Sequence, residues 1–277
     1  MSSLTYNNPE LEDVLFPGHQ VYLKYGVGPL PENTGNKKIF LFDIDNCLYE
    51  RSTRIHDMMQ VKIHKYFKET LLLSDKDAHD LHLNYYRTYG LALEGLVRNH
   101  KVDAMEYNLK VDDALDLKLV LHFNPNLREM LMQIKNSGQF DMFWLVTNAY
   151  KNHALRVISF LGIGDLFDGL TYCDYSLNPI VCKPMKEFYY HCLRTIGIDS
   201  KDNSQTSRLY FVDDSEINVK AAYNLAFGRV FHYVEMDEEY ETLKQKEDFE
   251  EYYGRGDNSD KAKIQIIRLI LELPKYI

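Results

Sequence analysis

The chain has 277 residues, 45% of them apolar, enough to bury a full core as one domain carrying a sizeable insertion. Its formal net charge of −9 and sequence pI of about 5.6 disfavour nucleic-acid polymers and anionic membrane surfaces as partners. The same charge opposes a phosphate-bearing small molecule, so local cations would have to invert the field at any site for one. No run approaches the roughly 18 apolar residues of a membrane helix, so membrane insertion is not expected. The opening MSSLTYNNPELEDV lacks a basic region followed by an apolar one, so no secretory signal is expected either. Cys47, Cys173, Cys182 and Cys192 show neither CxxC spacing nor the density of a disulfide framework. That pattern points to reduced thiols in a cytoplasmic, or also nuclear, protein.

Residues 1–36 hold Pro9, Pro17, Pro29 and Pro31 with Gly18, Gly26, Gly28 and Gly35, the composition of an irregular lead-in laid over a core. Gly26-Val27-Gly28 lacks the strand before and the helix after that a dinucleotide loop requires. Ile39-Phe40-Leu41-Phe42 then reads as a strand buried on both faces. Two carboxylates, Asp43 and Asp45, sit one residue apart just beyond it. Like charges so placed are costly unless a cation or a reaction uses them.

The interval to the next strand is too long for a structureless loop. Ile55, Met58, Met59, Ile63, Tyr66 and Phe67 recur at helical spacing, and Ser74 with Asp77, then Asp103, supply further helix starts. Asn124-Pro125 is the cap and first residue of a helix that ends near Gly138. Residues 52–122 are therefore expected to form a helical cap, with 37–51 and 123–277 forming the core. His79 and His82 lie three apart on a cap helix, but with no third ligand nearby they read as packing or surface histidines. Tyr85, Tyr86 and Tyr89 read as packing too. Gly90 and Gly95 interrupt the helical pattern of 89–95, which suggests a bend or a close backbone approach.

The construction of the first strand returns twice. Phe143-Trp144-Leu145-Val146 runs into Thr147-Asn148, and Leu209-Tyr210-Phe211-Val212 runs into Asp213-Asp214-Ser215. Between them lie a helix stopped by Gly162, a short strand at Gly169-Leu170-Thr171-Tyr172, and Lys183-Pro184 ahead of an amphipathic helix closed by Gly197. Ligands of open parallel sheets sit at the carboxyl ends of strands near a topological switch point. Three such ends could gather Asp43, Asp45, Thr147, Asp213 and Asp214 into one crevice. A helix from Ser215 and a strand from Arg229 follow. Residues 235–251 carry far more acidic than basic side chains and read as a solvated edge rather than a site. Arg255-Gly256-Asp257 has no adhesive meaning in a cytosolic chain, and Ile264 to Leu273 read as a strand or a short helix.

Asp43-x-Asp45, the apolar run ending in Thr147, Lys183 before Pro184, and Asp213-Asp214 together resemble the four ordered motifs of the haloacid dehalogenase-like hydrolase superfamily, over residues 38–234. Within it, DIDNCLY, TNAYKNHA, GLTYCDY and FVDDSEIN are similar to the fungal pyrimidine and nucleoside 5′-nucleotidases, a group that includes a lysophosphatidate phosphatase. Cys47 departs from the Thr or Val of many members. The resemblance implies an α/β fold: a doubly wound, Rossmann-like parallel-sheet core with an inserted helical cap. It implies a Mg²⁺-dependent phosphomonoesterase acting on small phosphomonoesters, with nucleoside 5′-monophosphates, pyrimidine ones first, as substrates. Lysophosphatidate or small sugar phosphates are alternatives within the enzyme class, and a non-catalytic regulatory scaffold is the alternative outside it. A dehalogenase is disfavoured, because Asp45 serves leaving-group protonation that carbon–halogen cleavage does not need. Nothing in the sequence specifies an oligomer.

Roles follow from this resemblance. Asp43 would be the nucleophile that forms an acyl phosphate, and Asp45 the acid and then the base. Mg²⁺ would take oxygen ligands from Asp43, the backbone carbonyl of Asp45 and the Asp213/Asp214 pair, with Asp214 binding directly and Asp213 beside or behind it. The Thr147 hydroxyl, the amide of Asn148 and Lys183 would hold the phosphoryl oxygens, and Lys183 would also restrain the charge of Asp43. Leaving-group recognition would fall to the cap, first to Tyr89, Gly90 and Gly95, then to Arg54 and His56 at its entrance.

Overall fold

The computed structural model describes residues 3–13, 15–30, 34–254 and 263–277. Pro31 and the tripeptide Arg255-Gly256-Asp257 lie outside the described residues. The lead-in is less irregular than its prolines and glycines suggest. Leu4–Tyr6 (β1) pairs antiparallel with Val21–Leu23 (β2). Val21 and Leu23 are buried and Tyr22 between them is exposed, an alternation too short to stand out in the sequence. Backbone bonds from Tyr22 N to Gly164 O (2.9 Å) and Tyr25 N to Asp168 O (2.7 Å) tie this hairpin to the core.

The main sheet begins with Ile39–Phe42 (β3) and continues in the chain through Met142–Thr147 (β4), Gly169–Tyr172 (β5), Leu209–Asp213 (β6), Arg229–Tyr233 (β7) and Gln265–Ile267 (β8). Among the described residues these six strands lie in the order β5-β4-β3-β6-β7-β8, all parallel. The chain winds outward through β4 and β5, then crosses over and winds the other way from β6. The switch point therefore lies between β3 and β6, where a doubly wound sheet opens its crevice. Phe40 and Phe42 pack in the apolar cluster on one face of the sheet, Ile39 and Leu41 in the cluster on the other. Both faces are covered, so all four residues of β3 must be apolar.

Four helices lie between β3 and the return to the core: Ile55–Leu71 (α1), Asp75–Tyr89 (α2), Ala92–Asn99 (α3) and Ala104–Lys110 (α4). Ser74 Oγ accepts from Asp77 N (3.2 Å) to start α2, and Asp103 Oδ1 accepts from Met105 N (2.8 Å) to start α4. Ile63, Phe67, Leu93, Leu96 and Tyr107 of these helices share one buried cluster with Ile39, Leu41 and Trp144 of the sheet. The cap is thus packed onto the core through apolar contact rather than tethered by loops alone. Pro125–Asn136 (α5), capped by Asn124 through Leu127 N (3.0 Å), leads back to β4. Lys151–Phe160 (α6), Lys186–Thr195 (α7), Asn203–Thr206 (α8) and Glu216–Asn224 (α9) connect the later strands. The acidic stretch forms two short helices, Asp237–Lys244 (α10) and Phe249–Tyr253 (α11). The C-terminal apolar segment is both a strand, β8, and a following 3₁₀ helix at Ile270–Tyr276. Among the described residues no helix is long and apolar enough to cross a membrane.

Candidate active site

Register brings the candidate residues together. Phe42, the last residue of β3, is level with Leu145 of β4 and Val212 of β6. The next residue of each strand line is Asp43, Val146 and Asp213, and Asp43 N donates to Val212 O at 3.0 Å. Lys183 reaches this point from the loop before α7. Its ammonium, 1% exposed, donates to Asp43 Oδ1 (2.6 Å), Asp213 Oδ2 (2.6 Å) and Val146 O (3.0 Å). All three of its protons are used. Burial works against the charge of Lys183, but Asp213 and Asp43 outweigh it and hold the ammonium's pKa above its ordinary value. Lys183, expected to grip phosphoryl oxygens, therefore acts first on the charge of the two carboxylates.

Asn148 fixes the Lys183 loop. Its Oδ1 accepts from Lys183 N (2.7 Å) and its Nδ2 donates to Lys183 O (2.9 Å). The side-chain amide is thereby spent on backbone, which leaves the main-chain N–H of Asn148 as its donor toward a ligand. Thr147 is buried at the end of β4, and its Oγ1 accepts from Ala149 N (3.0 Å) and lies 3.5 Å from Asp45 Oδ2.

Asp45 turns away from the buried pair. Its Oδ1 accepts from the Tyr49 hydroxyl (2.8 Å) and lies 2.7 Å from His153 Nε2. Burial favours the neutral acid, but His153 and Tyr49 together hold Asp45 below the usual carboxylate range. The resting Asp45 is thus an ionised acceptor. Asp213 is fully engaged: Oδ1 accepts from Ser215 N (2.8 Å) and Asn218 Nδ2 (3.0 Å), and Oδ2 holds Lys183. Asp214 is freer, with Arg51 Nη2 at 3.9 Å.

Asp43, Asp213 and Asp214 offer oxygens that all lie within 4.8 Å of one another. Three carboxylates face one ammonium, and for Asp43 and Asp214 this crowding adds to the effect of burial. Burial and then Asp213 push Asp43 upward, and the same causes push Asp214 to about 8. A small, hard dication with oxygen ligands would relieve this repulsion, so the donor set fits Mg²⁺. Asp43 and Asp214 have oxygens to give, whereas those of Asp213 already carry N–H donors. The side chain of Asp45 stands outside this cluster, so any part it takes in metal binding would be through its backbone carbonyl.

Above these groups opens a cavity of about 460 Å³ between cap and core. His56 and Gly90, two of the five expected specificity positions, line it; Arg54, Tyr89 and Gly95 do not. The reasons are local. Arg54 pairs with Asp57 at the surface (3.0 Å). Tyr89 lies beside Tyr85 and under Arg98. Gly95 does not interrupt a helix: it sits inside α3, where a Cβ would fall 2.2 Å from Tyr85 Cγ. Gly90 does end α2, at φ +80°, and a Cβ there would lie 2.6 Å from Lys183 O and 2.5 Å from Pro184 Cδ. The cap therefore rests on the very loop that carries Lys183.

The cap wall is built from Met59, Gln60, Ile63, His82 and Tyr86, none of which the sequence singled out as site residues. Burial and nearby histidines push His82 down to about 4, burial and Arg51 lower His56, and burial and Asp214 push Tyr86 up to about 12. These side chains are uncharged near neutrality. Arg51 and Lys183 are the basic residues lining the cavity, and both are paired, Arg51 Nη1 with Glu239 Oε1 at 2.7 Å. Glu239 also lines the cavity, so the acidic stretch, expected to be only a solvated edge, supplies part of the site. It does so because α10 folds back onto Arg51, which a charge count along the chain cannot reveal. Tyr49 and His153 also went unassigned, although both fall inside the motifs DIDNCLY and TNAYKNHA.

A family model described as haloacid dehalogenase-like hydrolase matches residues 37–225. Phosphate metabolism protein 8 of Saccharomyces cerevisiae is 37% identical over 275 residues, spanning 97% of this chain and 81% of its own length. Among solved structures, the magnesium-bound HAD-hydrolase YfnB of Bacillus subtilis covers 87% of this chain and 98% of its own, with a TM-score of 0.52 and 14% identity. A HAD phosphatase from Thermococcus onnurineus covers 86% and 97%, with a TM-score of 0.48 and 16% identity. At such identities the YfnB likeness speaks for the fold alone.

Proposed function

The chain belongs to the haloacid dehalogenase-like hydrolases, and from that premise we propose that it is a Mg²⁺-dependent phosphomonoesterase acting on nucleoside 5′-monophosphates, pyrimidine ones first. One observation carries the reading. Asp43, held by Lys183 against Asp213 of the neighbouring strand, and the separately anchored Asp45 face one cavity from the end of β3. Such a pair suits two-step phosphoryl transfer. The relative named for phosphate metabolism supports the same chemistry.

In the first step a carboxylate oxygen of Asp43 forms a bond to phosphorus as the bond to the leaving oxygen breaks. Lys183 occupies Oδ1, so Oδ2 is the oxygen available. The departing oxygen takes its electron pair and a proton from Asp45. Asp45 rests ionised, but a phosphoryl dianion beside it raises its pKa, so that it takes up a proton from solvent as the substrate binds and gives that proton to the leaving oxygen. In the second step water attacks phosphorus, passes a proton to Asp45 and releases the carboxylate of Asp43. The Thr147 hydroxyl and the main-chain amide of Asn148 line the phosphoryl end. Mg²⁺, held by Asp43 and Asp214 with Asp213 and the carbonyl of Asp45 beside them, would neutralise phosphoryl charge and keep Asp43 ionised.

The cap wall favours an uncharged, polar leaving group. His56, Gln60, His82 and Tyr86 offer hydrogen bonds without charge, whereas a second anionic group would meet no unpaired cation among the described lining residues. A nucleoside meets these requirements. The test is phosphate release from nucleotides, sugar phosphates, sugar bisphosphates and lysophosphatidate, with EDTA, Mg²⁺ or Ca²⁺. Nucleoside monophosphates with Mg²⁺ should lead. Ca²⁺ should substitute poorly, since its larger shell tolerates bidentate carboxylates and would tie up the attacking oxygen of Asp43. Preference for a bisphosphate or for lysophosphatidate would overturn the substrate class, and full activity in EDTA would overturn the metal.

A further inference from the structure

His153, on the first turn of α6, is a wholly buried imidazole whose hydrogen-bond partner is Asp45 Oδ1. Among the described residues its other nitrogen, Nδ1, has no hydrogen-bond partner, and neither has the buried Oδ2 of Asp112, a residue that also lines the cavity. An apolar side chain would fill the place of His153 without the cost of burying an unpaired polar atom. What the imidazole adds is direction. Asp45 Oδ1 is met by both His153 and Tyr49, at 2.7 and 2.8 Å, so that oxygen is engaged on two sides. Among the described residues Oδ2 meets only Thr147 Oγ1, at a marginal 3.5 Å, and the Asp45 side chain keeps 26% of its surface open.

We propose that His153 is a positioning residue for the leaving-group step: it anchors Asp45 Oδ1, with Tyr49, so that Oδ2 is the oxygen that carries the proton to and from the reacting atoms. The inference rests on the reading of Asp45 as acid and base. It assigns a function to a residue outside the four motif positions and to one specific oxygen of the carboxylate. Without the imidazole, Asp45 can rotate about its side-chain bonds, and the near-attack geometry for proton transfer is lost while the phosphoryl site stays whole.

The experiment compares kcat/KM for phenyl phosphate and p-nitrophenyl phosphate, whose leaving groups are close in shape but differ in their need for a proton. This ratio reports the steps through departure of the leaving group. His153→Leu should lower kcat/KM for phenyl phosphate by about 30-fold or more and for p-nitrophenyl phosphate by less than about threefold. His153→Gln, which can still donate to Oδ1, should recover most of the phenyl phosphate rate. Tyr49→Phe should show the same split at smaller size. Asp45→Asn, run in parallel, should show it at full size. A split in Asp45→Asn with an equal fall of both substrates in His153→Leu and no rescue by Gln would overturn this inference alone. No split in Asp45→Asn would overturn the reading of Asp45 on which it rests. Should His153→Leu fail to fold by circular dichroism, His153→Met, which also lacks the donor, and Tyr49→Phe carry the same test, and parent-like ratios in both would overturn it.

Discussion

The two walls of the cavity are made on opposite principles. At the end proposed to hold the phosphoryl group Lys183, Asp43 and Asp213 are buried and ionisable, Lys183 bonding each carboxylate at 2.6 Å, and each is fixed by a strand end or by Asn148. At the cap wall His56, Gln60, His82 and Tyr86 come from helices and carry no charge near neutrality, and the Nε2 atoms of Gln60 and His56 meet at 2.8 Å. The first wall concentrates charge, where removing one partner strands another in a medium that cannot solvate it. The second spreads weak, neutral interactions over several side chains. Changes at the first should therefore be large and indifferent to the leaving group. Those at the second should be small and selective.

The largest effect should come from Asp43→Asn, which keeps volume but removes the proposed nucleophile: turnover should fall by more than about 10⁴-fold with an unchanged circular dichroism spectrum. Activity within tenfold of the parent would erase the contrast between the walls. Lys183→Met should follow. It leaves Asp43 and Asp213 facing each other without a cation, and stability measured by urea unfolding in EDTA should fall by about 3–5 kcal/mol. Mg²⁺ should restore part of that loss, whereas an unchanged midpoint would mean the carboxylates are neutral in the native state. Gly90→Val belongs to the first wall despite its place in the cap, because its side chain would strike Lys183 O and Pro184. Every substrate should slow together, by about tenfold or more, measured as kcat/KM for UMP and p-nitrophenyl phosphate. A change confined to UMP would return Gly90 to the selective wall. The smallest effect is assigned to His82→Phe and Gln60→Leu. Each should shift the UMP to p-nitrophenyl phosphate ratio by about three- to tenfold, the worth of one hydrogen bond, and leave the aryl phosphate rate within twofold.

The same contrast explains what could be read from the sequence. Asp43, Thr147 and Asp213 were legible because short apolar runs in a parallel sheet end at a common level, so a pattern local to each strand becomes a shared site. Lys183 has no such pattern; only its place in the order of motifs marked it. His153 lies 108 positions from Asp45, and nothing in a helical repeat says which turn will meet a distant carboxylate. Gly90 and Gly95 show the limit most plainly. Glycine serves a left-handed helix end and a close helix contact equally well. The sequence marked both as interruptions that suggest a bend or a close approach; the close approach holds for each, but only one ends a helix, α2 against the Lys183 loop, while the other lies inside α3 against Tyr85. The cap wall was missed for a related reason: helix periodicity separates an apolar face from a polar one, but which polar residues look into a cavity depends on how α1 and α2 lean over the sheet.

Whether Asp43 carries the phosphoryl group covalently is decided within a single turnover. Enzyme in excess is mixed with a phosphomonoester and Mg²⁺ and quenched in acid, and the phosphoryl group is located by peptide mass spectrometry. A hydroxylamine-labile phosphoryl group should appear on the peptide containing Asp43, formed as fast as the leaving group departs and absent from Asp43→Asn. Stoichiometric release of the leaving group with no phosphoryl group on that peptide at any quench time would contradict it.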